Sequence, residues 1–260
     1  MTSYISRQHA VGACQRMQTF YKGLAAYYKT SGLDIESNRG RRNILMSEPM
    51  EIFLADELRK TNQTVVADGR TGKADIVIIN GRLETELECK LTSPHLSSGC
   101  IAFQTDFETL ERKVSLDYIY IIADPSFEKF CAIYFKGLTI EDFRALSPGA
   151  RGKVQMYKHK GMKKATMLAG SFIDLNEISI NKTVEKQRLY NIEANEKIEV
   201  LTSRLYALSE TQVYDRNKIK NSIEIIKNDL SEKINKFNKD IKIKSSRTSR
   251  YTYKFESLEI

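Results

Sequence analysis

Residues 76–90 constrain this chain more than any other stretch. Ile76-Val77-Ile78-Ile79 is a β-branched run, Asn80-Gly81 follows it, and Leu83, Thr85, Leu87 and Cys89 then alternate with Glu84, Glu86, Glu88 and Lys90. Branched side chains favour the pleated strand, and Asn-Gly is the preferred centre of a two-residue type I′ turn. Alternation with a period of two gives a strand one apolar and one charged face. The pattern predicts a β-hairpin with the charges of its second strand on one side.

With Asn80-Gly81 as the whole turn, Asp75 stands opposite Glu86 and diagonal to Glu88, within the span of one bound cation; a one-residue bulge exchanges the two glutamates. Three carboxylates in that space repel one another unless a hard cation such as magnesium neutralises them. Lys90 lies one pleat beyond Glu88 on the same face. There it can orient or deprotonate an attacking water, or stabilise charge on a phosphate. The combination points to phosphodiester hydrolysis. The competing reading of Glu84, Glu86, Glu88 and Lys90 is a solvated strand face with cross-strand ion pairs.

Asp75, Glu88 and Lys90 resemble the Asp…Glu-x-Lys signature of the PD-(D/E)xK nuclease superfamily, which includes many type II restriction endonucleases. The resemblance covers residues 47–136 and departs from the pattern at Ala74, where the family has proline before the aspartate. Glu111-Arg112-Lys113 and Asp240-Ile241-Lys242 also fit the short triplet, but both sit in helical patterns without an upstream hairpin aspartate. The resemblance implies a mixed α/β (α+β) fold with an αβββαβ core. It implies double-stranded DNA as substrate and Mg2+ as cofactor, with Mn2+ able to substitute. Asp75 and Glu88 are the implied metal ligands and Lys90 the residue that positions the water. It also implies that Glu51, on the first core helix, reaches the metal, with Glu48 competing for that role. Gln104 is similar to a glutamine that related nucleases hold beside the active site, and Glu86 is a second accessory candidate.

The surrounding pattern fits that order. Residues 47–60 carry a cap-like Ser47, Pro49 in the first turn and apolar Phe53, Leu54 and Leu58, which predicts an amphipathic helix. Strands are expected at 64–67, 118–123 and 132–135, a turn at 68–72, a loop at 92–99 and a helix at 101–113. Gly69 and Gly72 lack phosphate-loop spacing, and no Ser or Thr follows Lys73. Upstream, residues up to Ser31 predict a helix with Met17, Phe20, Tyr21, Leu24, Tyr27 and Tyr28 on one broad side.

Charge bounds the partners. The 260 residues carry a formal charge of +8, and no acidic residue lies between Asp142 and Asp174. Within that stretch Arg151, Lys153, Lys158, His159, Lys160, Lys163 and Lys164 gather, a composition suited to phosphate contacts and base reading or, alternatively, to an ordinary solvated loop. Residues 38–43, with Arg41 and Arg42, read as a second basic loop and a second candidate DNA contact. No apolar run approaches 18 residues and the N-terminus has no leader pattern, so neither membrane insertion nor secretion is expected. Four scattered cysteines without metal spacing suit a reducing cytoplasm.

Past residue 180 the chain becomes charged, asparagine-rich and free of proline and glycine to about residue 245, apart from a joint near 210–214. Ile219, Ile223, Ile226, Leu230, Ile234, Phe237 and Ile241 form a heptad-like stripe, matched by Ile198, Leu201, Leu205 and Leu208. This predicts a catalytic domain over 1–181 and an α-helical hairpin arm with a basic tail over 182–260. The arm would hold a homodimer as a coiled coil, clamp a duplex, or simply cover apolar surface. The reading that follows is a metal-dependent endodeoxyribonuclease similar to type II restriction enzymes. Its alternatives are a structure-specific repair or recombination nuclease and a non-catalytic DNA-binding coiled-coil protein.

Overall fold

The structure is a computed structural model that describes residues 4–68, 73–146, 152–245 and 250–258. In chain order its elements are α1 (Arg7–Thr30), α2 (Arg39–Arg59), β1 (Thr64–Ala67), β2 (Ile76–Asn80), β3 (Leu83–Thr92), β4 (Gln104–Asp106), α3 (Phe107–Lys113), β5 (Leu116–Ala123) and β6 (Lys129–Leu138). There follow β7 (Lys153–Gln155), α4 (Lys158–Gly161), β8 (Ala165–Ala169), β9 (Ser171–Asp174), α5 (Leu175–Ala207), α6 (Val213–Ser245), β10 (Tyr251–Lys254) and β11 (Glu256–Ser257). Short 3-10 turns sit at Ile140–Asp142 and Met162–Lys164.

The first five strands of the principal sheet run β1-β2-β3-β5-β6, with β8 and β11 both paired to β6. Among the described residues of this sheet only the β3–β5 pair is parallel, and α3 lies on the connection between its strands. The class is therefore mixed α/β with a mixed sheet, and the order α2-β1-β2-β3-α3-β5 follows the expected one with β4 inserted before α3.

The hairpin β2–β3 closes one residue later than Asn80-Gly81 suggests. Asn80 pairs with Leu83, so Gly81 and Arg82 form the turn. Gly81 has φ +65° while Arg82 is not among the positive-φ residues, the arrangement of a type II′ turn. Asn80 is drawn into the strand by its side chain, which donates to Asn62 Oδ1 (2.8 Å) and accepts from Gln63 N–H (2.9 Å). Contacts with the start of β1 thus override the local turn preference. The register puts Glu86 opposite Val77, and continued one step it sets Asp75 opposite Glu88. The expected pairing of Asp75 with Glu86 is corrected accordingly.

Alternation divides the sheet into two faces. Ile76, Ile78, Leu87, Cys89, Ile119, Ile121, Phe130 and Ala132 bury against Ala10, Ala13, Cys14, Met17 and Tyr21 of α1 and Met46, Met50, Leu54 and Leu58 of α2. Of the broad aromatic side of α1, Met17 and Tyr21 bury, while Phe20 and Tyr27 remain exposed. The opposite face carries Tyr118 stacked on Tyr120, with Phe103 and Phe135 edge-on to Tyr120. Such aromatic pairs contribute about 0.5–1.5 kcal/mol each beyond burial.

Helix α2 starts eight residues before the expected point. Asn38 caps it by accepting from Arg41 N–H (3.0 Å), so residues 39–43 form its first turns, not a basic loop. Ser47 is no cap: its Oγ donates to Ile44 O inside the helix (2.8 Å), and Pro49 is an interior residue. Arg42, expected at the DNA, is fully buried. It donates to Pro125 O (2.6 Å), Ser93 Oγ (2.9 Å) and Asp124 O (3.3 Å), with its guanidinium 4.9 Å from the Phe127 ring centre. It joins α2 to the β5–β6 connection. Arg41 is exposed.

The helix expected over 101–113 divides into β4 and α3. Phe103 and Thr105 are buried while Gln104 and Asp106 are exposed, a strand pattern, and β4 pairs antiparallel with β7. Gln104 therefore lies on a strand and not on a helix. The triplets at 111–113 and 240–242 lie in α3 and α6.

The chain divides into two compact units, one formed by residues through Phe172 together with those from Tyr253 onward, the other spanning Ile173–Thr252. The expected boundary at 181/182 is thus too late, because α5 already begins at Leu175, with Asp174 accepting from Asn176 N–H (2.9 Å) as its cap. In the second unit α5 and α6 form the helical hairpin. Tyr190 bonds Asp229, Gln187 donates to Asn238 (3.2 Å) and Lys244 donates to Thr183 (2.6 Å) along it. Among the described residues α6 buries none and α5 only Thr183 and Ala194. The end of the chain is ordered into the first unit: β11 pairs with β6, Glu256 accepts from Gly170 N–H (2.9 Å), and it forms an ion pair with Arg7.

Candidate active site

The charged side of β3 meets the start of β2 and the middle of α2. Asp75, one residue before β2, turns its carboxylate across the hairpin, where Oδ2 accepts from Cys89 N–H at 2.7 Å. Glu88, 6% exposed, and Lys90 share one face of β3, and Lys90 Nζ donates to Glu88 Oε1 at 2.5 Å. The second glutamate oxygen, Oε2, is buried and has no hydrogen-bond partner. A buried carboxylate oxygen without a donor is costly, so it marks a position where a cation or a proton would be stabilising.

The electrostatics describe one cluster. Burial pushes the Asp75 carboxyl up, opposed by Lys90 and by the Cys89 N–H. Burial also pushes Glu88 up, with Lys90 opposing and Asp75 reinforcing. Glu51 is pushed up to about 7, first by burial and then by the Asp75 charge, with Lys90 opposing. Burial works against the Lys90 ammonium, but the Glu88 and Asp75 charges outweigh it and hold the lysine above its ordinary range. The four residues Glu51, Asp75, Glu88 and Lys90 thus act on one another from three elements. Glu86 is turned to an ion pair with Lys113, and Glu48 is exposed.

Sequence reasoning missed Asp106, at the end of β4. Its charge acts on Asp75, Glu88 and Lys90 alike. The alternation of apolar and polar residues over 103–106 is the signal that could have found it, since a strand there returns over the charged face. Two tyrosines also escaped notice. Tyr118 and Tyr120 are the β5 partners of Glu88 and Lys90; Tyr118 Oη bonds Thr105 Oγ1 (3.0 Å) and Tyr120 Oη donates to Gln104 O (2.9 Å).

The donor set is all oxygen, as a hard divalent cation requires, and the orphaned Glu88 Oε2 fits such a ligand. As the side chains stand, no three His, Cys, Asp or Glu residues among those described are gathered to hold an ion. Lys90 engages Glu88 Oε1, and the Cys89 N–H engages Asp75 Oδ2.

The basic segment is folded, not a loop. Lys153 lies on β7 and is exposed, Lys158 is half-buried at the start of α4, and His159, Lys160, Lys163 and Lys164 are exposed. Burial lowers the Lys158 ammonium, and the nearby Arg144 lowers it further. Lys160 donates to Glu141 O (2.9 Å), while Lys164 pairs with buried Asp142 (2.6 Å). Arg151 lies outside the described residues. No helix of the described residues is long and apolar enough to cross a membrane. Comparison with protein-family models, curated proteins and solved structures finds no match to this chain.

Proposed function

We propose that this protein is a metal-dependent endodeoxyribonuclease of the PD-(D/E)xK type with a restriction-endonuclease-like core, acting on double-stranded DNA. The observation that carries the reading is the buried, unpartnered Glu88 Oε2 inside a cluster of Glu51, Asp75 and Glu88 that Lys90 balances in part. A solvated strand face would leave these carboxylates in water, each free to ionise; here burial raises all three. That difference favours a site over surface ion pairs.

In this reading Asp75, Glu88 and Glu51 would hold Mg2+, for which Mn2+ would substitute. Bound there, the ion would make a water acidic and neutralise the phosphate. Lys90 stays protonated, which makes it a charge stabiliser and water-orienting group rather than a base. Burial and the Asp75 charge raise Glu51, and a bound cation would hold it as the carboxylate. Exposed Lys153, Lys163 and Arg41 are the candidate backbone contacts. Cleavage at defined sites, as in a type II restriction enzyme acting as a homodimer, is the finer form of the proposal.

Digestion of an unmethylated viral genome with and without magnesium, beside Asp75→Ala and Lys90→Ala, tests it. Discrete bands that need magnesium and vanish in both variants support a sequence-specific nuclease. A smear or selective junction cutting moves the activity to repair substrates, and intact DNA with retained binding refutes catalysis.

A further inference from the structure

Resting on the nuclease reading, we propose that Asp106 is a further ligand residue of the cation site, brought to it by the short β4–β7 ladder. Four observations converge on it. Strand β4 is fastened over the charged face by the Tyr118–Thr105 and Tyr120–Gln104 hydrogen bonds, and those tyrosines stand in register beside Glu88 and Lys90. Asp106 immediately follows Thr105 at the end of that strand, where it is exposed.

Asp106 also occupies the N-cap position of α3, yet its side chain makes no capping bond. Aspartate at an N-cap ordinarily accepts from an N–H of the first turn. Here the carboxylate has neither hydrogen bond nor ion pair among the described residues, and it is exposed. Its charge nevertheless bears on Asp75, Glu88 and Lys90. The buried Glu88 Oε2 independently marks a position in the same cluster where a cation or a proton would be stabilising.

The ladder adds a consequence for DNA. Lys153 is the register partner of Asp106, and Phe107 N–H donates to Gly152 O (2.8 Å). A lysine suited to a backbone phosphate is therefore carried on the same ladder as the added carboxylate, so the cation and an adjacent phosphate would be held together.

Mn2+ binding to the metal-stripped full chain, read by electron paramagnetic resonance, tests the assignment beside Asp106→Asn and Asp75→Asn, with melting temperatures taken in chelator. Asparagine caps a helix as well as aspartate does, so a capping role leaves both readouts unchanged. The expected result is Mn2+ affinity weakened by about tenfold or more in Asp106→Asn, with a higher melting temperature in chelator because a like charge has been removed. Binding within twofold of the parent, while Asp75→Asn loses it, overturns the role of Asp106 and leaves the nuclease reading standing. A parent chain that binds no Mn2+ overturns both.

Discussion

Lys90 Nζ lies 2.5 Å from Glu88 Oε1, with the lysine side chain 25% and the glutamate side chain 8% exposed. The pair is withdrawn from water, so each charge depends on the other. Replacing Lys90 by methionine strands the glutamate and should lower stability in chelator by about 3 kcal/mol. Lys90→Met with Glu88→Gln should recover most of that loss. Urea denaturation of the single and double variants measures the coupling, and full additivity would refute it. Cleavage by Lys90→Met should fall by about 100-fold or more with DNA binding retained.

Glu51 imposes a pH dependence. Its folded value, about 7, exceeds the ordinary 4.5, so between those values the folded state binds more protons than the unfolded one. Stability from this group is therefore lost as pH rises from 4.5 through 7. Glu51→Gln should raise stability in chelator at pH 8 by about 1 kcal/mol, after allowance for its solvent contact, and by little at pH 4.5. Mg2+ binding should strengthen across the same interval, since the ion needs the carboxylate form. Melting curves against pH, with and without Mg2+, check both signs.

Arg42 and Arg41 should behave oppositely. Arg42→Met removes a buried guanidinium that satisfies Pro125 O, Asp124 O and Ser93 Oγ, and should cost about 3 kcal/mol of stability. Arg41→Ala should leave stability within about 0.5 kcal/mol and weaken only DNA binding. Denaturation midpoints beside DNA affinity separate the two.

The lysines of the basic segment divide in the same way. Alanine at Lys153 or Lys163 should weaken DNA binding and reduce the slope of log affinity against log salt by about 0.9 for each phosphate that is no longer neutralised. Lys164→Ala should instead lower stability by about 1 kcal/mol, because Asp142 loses its ion-pair partner. Affinity titrations at several salt concentrations read the first effect and thermal melts the second.

A chain ending at residue 181 should be unstable, because it lacks β11, the Glu256–Arg7 pair and buried Leu258, the last alone worth about 2 kcal/mol. Leu175 N–H donates to Arg250 O (2.8 Å), so joining Asp174 to Tyr251 by a short turn removes the helical hairpin and keeps the tail. That shortened chain should melt close to the parent. A monomer by light scattering would assign dimerisation to the arm, and an unaltered dimer would exclude it.

Local chemistry carried much of the fold. Strand β1 spans the expected residues, β5 and β6 contain the expected ones and run beyond them, and α6 runs over the whole heptad-like stripe, because branched runs and three-four spacing state their preferences within a few residues. That Glu88 and Lys90 share a face was likewise legible, since alternation along β3 puts them there whatever the turn, whereas Glu51 entered only through the family resemblance. What lay beyond reach needed partners distant in the chain. The hairpin register depends on Asn62 and Gln63 holding Asn80, and it selects Glu88 over Glu86. The burial of Arg42 depends on carbonyls more than 80 residues away. Asp106 joins the site only because Tyr118 and Tyr120 fasten β4 across the sheet. Sequence determines which residues can form strands, helices and charged faces; long-range hydrogen bonds and burial decide which of those charges meet, because both act between segments that no local pattern connects.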